Sequence, residues 1–532
     1  MADFQAFDAA SHPIIRCEDD WNNLLAHGLE KIASYIVRIN GSYYEAIKGG
    51  TSSGAGTIAY GGANNAGAID GTDAAAVIQA AIDVLTSGGY IFIKRGTYPI
   101  GTRIDHKENV WVYGEGIDVT ILEDSAALDE MWKQSNASNT FLGGLTLEGN
   151  KTANKVLVVV REGAAGVIKD ITFDSIKVRG TAAAGNWMVI FWDTLSEWNL
   201  QNITLKNSII EDYAPLKDAA DNVAFSYLDG IKVLNTTFRD LGYTIFGFYT
   251  SKNGYYDNVT FDSNSNADFV ISGHNFVGKN LIFKDGEGFT IRCPEATLDE
   301  TKNIQVSGVW SNITGTAIEI SDSATRSTED VQVDAIIDTT DDYGISIGGS
   351  TTGVKNVELN VWIHDCDKTG IYVNASGAKT KISGYIFNNS QAGAGAHPAI
   401  VNHGDDTQIV NAYIYDDQGA ATQTKAITNE AGNILLWTGG LITGTVTINA
   451  GTIDKIRHVA GYITENSGIT GAIATGTAVN HGLAGTPTSV TVTSAEAGPT
   501  DVYVDTVGAA SFKINFGGGG NKTFYWTAEY AP

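Results

Sequence analysis

The sequence predicts an all-β protein built as a right-handed parallel β-helix, and three observations carry that prediction. Of 532 residues, 61 are glycine and only 8 proline, with 43% hydrophobic and 18% charged, a composition of short strands and tight turns. Runs of the form x-N-[IV]-x-[IVL] return along most of the chain. Counting through Ile203, Val233, Val259, Leu281, Ile304, Val331, Val357, Ile382, Ile409, Ile434 and Ile456 gives steps of 22 to 30 residues, which is one coil of a solenoid carrying several strands. A single helical segment stands at the head of this repeat.

Each element follows from local chemistry. Residues 18–33, EDDWNNLLAHGLEKIA, set Trp21, Leu24, Leu25, Leu29 and Ile32 at helical spacing. YIVRI-NG-SYYEAI is a hairpin around Asn40 and Gly41, both tolerant of positive φ. Together they are expected to form an N-terminal attachment module over residues 1–48, followed by a glycine-rich linker over 49–71. GTDAAAVIQAAIDVLTSGG predicts a helix over 72–87, capped by Thr72 or Asp73 and stopped by Gly88 and Gly89. Val77, Ala81 and Val84 beside Ile78, Ile82 and Leu85 form its apolar stripe. An open first coil exposes backbone groups and an apolar interior, so this helix is expected to cover it. The β-helix is expected over 72–467. Residues 468–532, with β-branched and aromatic runs between Gly and Pro turns, predict a C-terminal β-sandwich.

The segment GTDAAAVIQAAID…GGYIFIKRGTYPI…NVWVYGEG…TIL resembles the opening of the pectate-lyase-like parallel β-helix superfamily, common in phage tailspikes. The resemblance implies the fold over roughly residues 70–465, a surface-glycan ligand and three chains side by side. It does not fix the chemistry, since the superfamily includes lyases, hydrolases, epimerases and inactive members.

The net charge of −26 opposes nucleic acid and acidic glycans and favours neutral or cationic polymers. Cys17, Cys293 and Cys366 are too few and too scattered for a disulfide framework or a zinc site. No run approaches a membrane span and the first twenty residues lack a secretory pattern, which predicts a component that leaves the cell in a particle or a chain whose signal has been removed. No cofactor is expected; calcium is compatible with the fold but no motif supports it.

Two or three carboxylates on neighbouring coils are what a hydrolytic β-helix needs, and aromatic planes beside them suit sugar CH faces. Residues 187–256 concentrate both. Glu211, Asp212, Asp229 and Asp240 are the candidate catalytic acids, with Asp193 and Glu197 beside them. Trp187, Trp192, Trp198, Tyr213, Tyr249 and Tyr255 are the candidate glycan contacts. The competing expectation is that alternate aromatics face inward and stack as core. TTDDYGISIGG (Asp341, Asp342) lacks the companion motifs of polygalacturonase-like hydrolases, and IRCPEATLDE has Thr297 where pectate lyases carry a second Arg. In VWIHDCDKTG, His364 and Asp365 are neighbours on a strand and should point to opposite faces.

The sequence therefore points to a virion tailspike or tail-fibre-like receptor-binding protein, located in the tail or at an extracellular surface. Its expected partners are a host polysaccharide or glycoprotein glycan and, through the N-terminal module, a tail or baseplate protein. A polysaccharide-degrading enzyme on the same fold, and a cellular surface-layer or filament subunit, are the alternatives.

Overall fold

A computed structural model of the chain describes residues 33–40, 43–48, 69–71, 73–126, 128–149, 155–163, 166–180, 187–211, 222–242, 245–264, 269–293, 300–323, 325–349, 353–393, 395–418, 422–454 and 456–531. The expected helix over 18–33, most of the linker, Asp212, Tyr213 and the side chain of Trp187 lie outside the described residues. The chain divides into two compact units, residues 1–309 and 310–532.

In the first unit three parallel ladders define the coils. The first face runs through Gly89–Ile93, Val110–Gly114, Thr140–Glu148, Ile168–Arg179, Leu200–Lys206 and Leu228–Leu234. The second runs through Gly96–Ile100, Thr120–Asp124, the ends of Thr140–Glu148 and Ile168–Arg179, Ile209–Glu211, Thr237–Arg239 and Thr260–Asp262. The third runs through Ile104–His106, Trp132–Ser135, Lys155–Arg161, Trp187–Asp193, Asn222–Ser226 and Ile245–Asp257. Inward residues of these strands, among them Ile171, Ile203, Ile231, Phe191 and Phe225, are fully buried.

The corners explain the repeated asparagine. Asn202, Asn253, Asn275 and Asn303 have positive φ, as do Asn207, Asn235, Asn258 and Asn280; Asn and Asp tolerate that region best after Gly. Their amides bond along the stack, Asn275 to Asn253 at 3.1 Å, Asn303 to Asn275 at 2.9 Å, Asn235 to Asn207 at 3.1 Å and Asn258 to Asn235 at 3.0 Å. Left-handed asparagines therefore recur at two corners of the coil, and the N-[IV] runs fall at either one. That corrects the sequence count: Ile203 pairs with Ile231, not Val233, and Val259 precedes a second-face strand.

Helix α1 spans Ala74–Asp83, shorter than the predicted 72–87. Asp73 caps it, accepting from the Ala75 N–H at 2.9 Å. It ends early because the Leu85 N–H turns back to the Ile82 carbonyl, and Gly88, at φ 85, then redirects the chain into Gly89–Ile93. Ala74, Ala75, Val77, Ile78, Ala81 and Ile82 are buried against the first strands. The hairpin Tyr35–Asn40 with Tyr43–Lys48 is antiparallel, and its first strand pairs in parallel with Gly89–Ile93. The hairpin is thus hydrogen-bonded into the first rung, where it occupies an edge that would otherwise stay open.

In the second unit the first two faces merge into longer strands, Ser327–Thr340, Val354–Cys366, Gly377–Phe387 and Thr407–Tyr415. The third face continues through Ile345–Ile347, Ile371–Val373, Ile400–Asn402, Lys425–Asn429 and Thr445–Ile448. Beyond it, two antiparallel three-stranded sheets enclose a core of Leu483, Phe512, Ile514, Phe516, Phe524, Trp526 and Ala528.

Candidate functional site

The acids expected to act together are distributed over different structural tasks. Glu211 is buried at the end of a second-face strand, with its carboxylate 2.8 Å from Lys177 Nζ and 2.5 Å from Arg239 Nε. It belongs to a column that alternates in sign from coil to coil: Glu148, Arg179, Glu211, Arg239, Asp262, Lys284. A carboxylate facing two cations ties coils together. Asp240 follows Thr237–Arg239, one coil on, at a corner with φ 55. Asp229 lies elsewhere, at the start of a first-face strand, where it accepts from the Asn253 amide at 2.6 Å as the foot of the asparagine ladder. The strands Leu228–Leu234 and Thr237–Arg239 separate Asp229 from Asp240.

The aromatic candidates are partly brought together, at the corner between the third and first faces. Asp193, with no exposed surface, organises it. Its carboxylate takes the Arg161 guanidinium at 3.0 Å and the backbone N–H groups of Leu195 and Asn199 at 3.1 and 2.8 Å. Glu197 takes the other arm of Arg161 at 2.9 Å. These contacts close the turn after Trp187–Asp193 and hold Trp198 at φ 58. One coil on, Tyr227 sits at the same corner with φ 57, its ring centroid 6.5 Å from that of Trp198. A left-handed backbone at two bulky aromatics is costly, and such outliers concentrate at functional sites.

The next coil supplies Tyr249, Thr250 and Lys252. The Trp198 indole donates to the Thr250 carbonyl at 2.7 Å, and Lys252 Nζ lies 3.7 Å from the Trp198 ring centroid. Tyr249 packs edge-on against Phe246 at 5.0 Å, and burial pushes its hydroxyl pKa up, so it stays protonated and able to donate. Lys252 pairs in register with Asp229. The corner thus offers aromatic surface, a phenol donor, a cation and a carboxylate, groups of the kind that can hold a sugar. Trp192 stands outside, 39% exposed, at the end of the strand that leads into the corner. Tyr255 is farther along the first face, bonded to Asp257 at 3.1 Å. Phe191, Phe225, Phe248 and Tyr256 are core, as the competing expectation held for alternate rings.

Sequence reasoning missed Arg161 and Lys252. Both stand in strands that looked ordinary; only register brings them beside Asp193 and Trp198. It also set His364 and Asp365 on opposite faces, whereas His364 Nδ1 and an Asp365 carboxylate oxygen are 2.9 Å apart. The alternation rule fails there because Asp365 has φ 57 and leaves the extended conformation. Asp338 and His364, in register on adjacent coils, complete the one group of metal-type donors found among the described residues.

A profile of the family described as "Rhamnogalacturonase A/epimerase, pectate lyase-like" matches residues 61–292. None of the curated proteins compared matches. Among solved structures, the chain is similar to the mannuronan C-5 epimerase AlgE6 A-module of Azotobacter vinelandii, at 15% identity and TM-score 0.39, covering 74% of this chain and 96% of that one. It is also similar to the tailspike protein of E. coli bacteriophage HK620 in complex with pentasaccharide, at 12% identity and TM-score 0.42, covering 89% and 92%. The Dettilon tailspike protein gp208 follows at 11% identity and TM-score 0.37, covering 86% and 91%.

Proposed function

We propose that this pectate-lyase-like parallel β-helix is a glycan-binding protein of tailspike type, whose first unit holds a host surface polysaccharide or glycoprotein glycan at the Trp198 corner. The observation that carries the reading is the pair of left-handed aromatics, Trp198 and Tyr227, with Lys252 on the indole face. Most of the other left-handed non-glycine positions are Asn or Asp, which tolerate that backbone, whereas bulky aromatics do so at a cost. Binding is favoured over degradation because Glu211 is engaged by two cations and Asp229 by an amide. Titration of the full chain against purified envelope polysaccharides tests it. Trp198→Ala and Tyr249→Ala each weaken binding tenfold or more with an unchanged circular dichroism spectrum, and release of oligosaccharide ends by the unmodified chain would replace this reading with an enzymatic one.

The finer assignment is a virion receptor-binding protein in which residues 1–48 fix the chain to a tail or baseplate and three chains lie side by side. It is supported by the resemblance of the segment 71–122. Sedimentation mass, and recovery of the protein from purified virions and not from sheaths of uninfected cells, test it.

A further inference from the structure

The second unit carries an aromatic column on its outside. Ile336, Trp362, Tyr385, Tyr413 and Leu441 succeed one another in register on five coils, and are 45%, 45%, 38%, 38% and 36% exposed. Trp362 and Tyr385 are 5.0 Å apart between ring centroids, Tyr385 and Tyr413 4.8 Å. A second column runs two residues further along the same strands: Asp338, His364, Phe387 and Tyr415. There the imidazole stacks on Phe387 at 5.0 Å and Phe387 on Tyr415 at 4.9 Å. On the other side lie Asp334, Asn360 and Ser383, with Asn360 donating to Asp334 at 3.1 Å. The intervening residues Ile337, Val361, Ile363, Ile386 and Ile414 are buried, so the aromatics are outside by the parity of the strand and not by a break in it.

Soluble chains seldom leave a contiguous apolar ridge unpartnered, and the border of this one has a definite sign. Asp334 and Asp338 flank it, and Asp365 lies beside His364 with its second oxygen held by the Gln391 and Gln418 amides at 3.3 and 3.2 Å. Of the three lysines on the same strands, Lys355 and Lys381 are taken by Glu329 at 2.9 Å and Glu358 at 2.7 Å, and Lys379 stands six residues before Tyr385 near the start of its strand. His364 itself lies between two carboxylates, 3.5 Å from Asp338 and 2.9 Å from Asp365. An acidic border repels an anionic polymer and attracts a cationic one.

We infer that this face is a second binding surface, and that its ligand is an amino-sugar polymer, a hexosamine glycan bearing free ammonium groups. Pyranose rings lie along the ridge and meet a new side chain with each coil, about every 5 Å. The ammonium groups meet Asp334 and Asp338. None of these residues belongs to the Trp198 corner, so the two readings fail separately.

The probe is a glucosamine hexamer, compared by calorimetry with its fully N-acetylated counterpart and with an oligogalacturonate on the full chain. The glucosamine hexamer binds, at least tenfold more tightly than the acetylated one, and loses tenfold or more affinity in Trp362→Ala and in 0.5 M salt, where the Debye length falls to about 4 Å. Asp334→Asn with Asp338→Asn, which keeps the ridge and the fold, removes the preference for the charged hexamer. Trp198→Ala leaves it intact. Equal affinity for the two hexamers, no binding of either, or a change of sedimentation mass in Trp362→Ala that marks the ridge as a contact between copies would each overturn the proposal.

Discussion

Aromatic ladders run inside the first unit and outside the second. Phe238, Phe261 and Phe283 stack through three coils at centroid distances of 5.2 and 4.4 Å with at most 3% exposure, and Phe191 on Phe225 at 4.8 Å with none. Trp362, Tyr385 and Tyr413 repeat the same spacing in solvent. Coil geometry sets the ring-to-ring distance on either side of the sheet, and the pleat alone decides which side. The consequence differs completely. An inward ring leaves water and fills the interior, which is worth several kcal/mol; an outward stack contributes a fraction of that and keeps its surface for a ligand.

The largest expected effect tests that difference directly. Phe261→Ala should cost about 3–5 kcal/mol through lost burial and the cavity left behind, while Tyr385→Ala costs under about 1 kcal/mol. Urea unfolding of both variants checks it, and equal shifts would break the comparison.

Charge inside the first unit comes next. Glu211→Gln should destabilise by roughly 3 kcal/mol, since Lys177 and Arg239 lose their shared counter-charge where Lys177 is buried. Glycan titration of the same variant should be unchanged, because Glu211 lies outside the Trp198 corner.

A titratable ring sharpens the contrast further. His106 is buried, its Nε2–H donating to the Val110 carbonyl at 2.8 Å, and burial holds its pKa down at about 4 against the ordinary 6.5. The unfolded chain therefore takes the proton first. This contribution is whole above pH 6.5 and is lost as pH falls from there toward 4, by about 3 kcal/mol at most. Unfolding of His106→Gln should be flatter with pH across that window than unfolding of the unmodified chain.

The smallest effect concerns what the two units share. Asn275 in the first and Asn356 in the second are both left-handed corners, bonded at 3.1 Å to Asn253 and 2.9 Å to Asp330. Alanine at either should cost about 1–2 kcal/mol and glycine less, because glycine loses the amide bond but keeps the backbone. Matched losses by urea unfolding identify one corner architecture throughout.

The fold was legible where its cause is local. Asp73 before an apolar stripe announces α1, and a period near two dozen residues announces coils. Phase was not legible, because the coil turns on two left-handed asparagines, such as Asn253 and Asn258, and the residue type alone does not say which corner each one occupies. Nor was the partner of Tyr35–Asn40, which pairs with a strand more than fifty residues away. The Trp198 corner was half visible: its aromatics stood out, but Asp193 reads as a catalytic acid until its backbone partners are seen. The outer ridge was open to view in WIH, YIF and YIY, where a central isoleucine turned inward forces both neighbours out.

Solvent reactivity of the tryptophans and tyrosines in the native chain, followed by hydroxyl-radical labelling and mass spectrometry, tests the inside-and-outside assignment most directly. Trp362, Tyr385 and Tyr413 should label fast, while Trp132, Trp310 and Trp437, with no exposed surface, stay protected until the chain unfolds. Protection of the first three, or rapid labelling of the second, would contradict it.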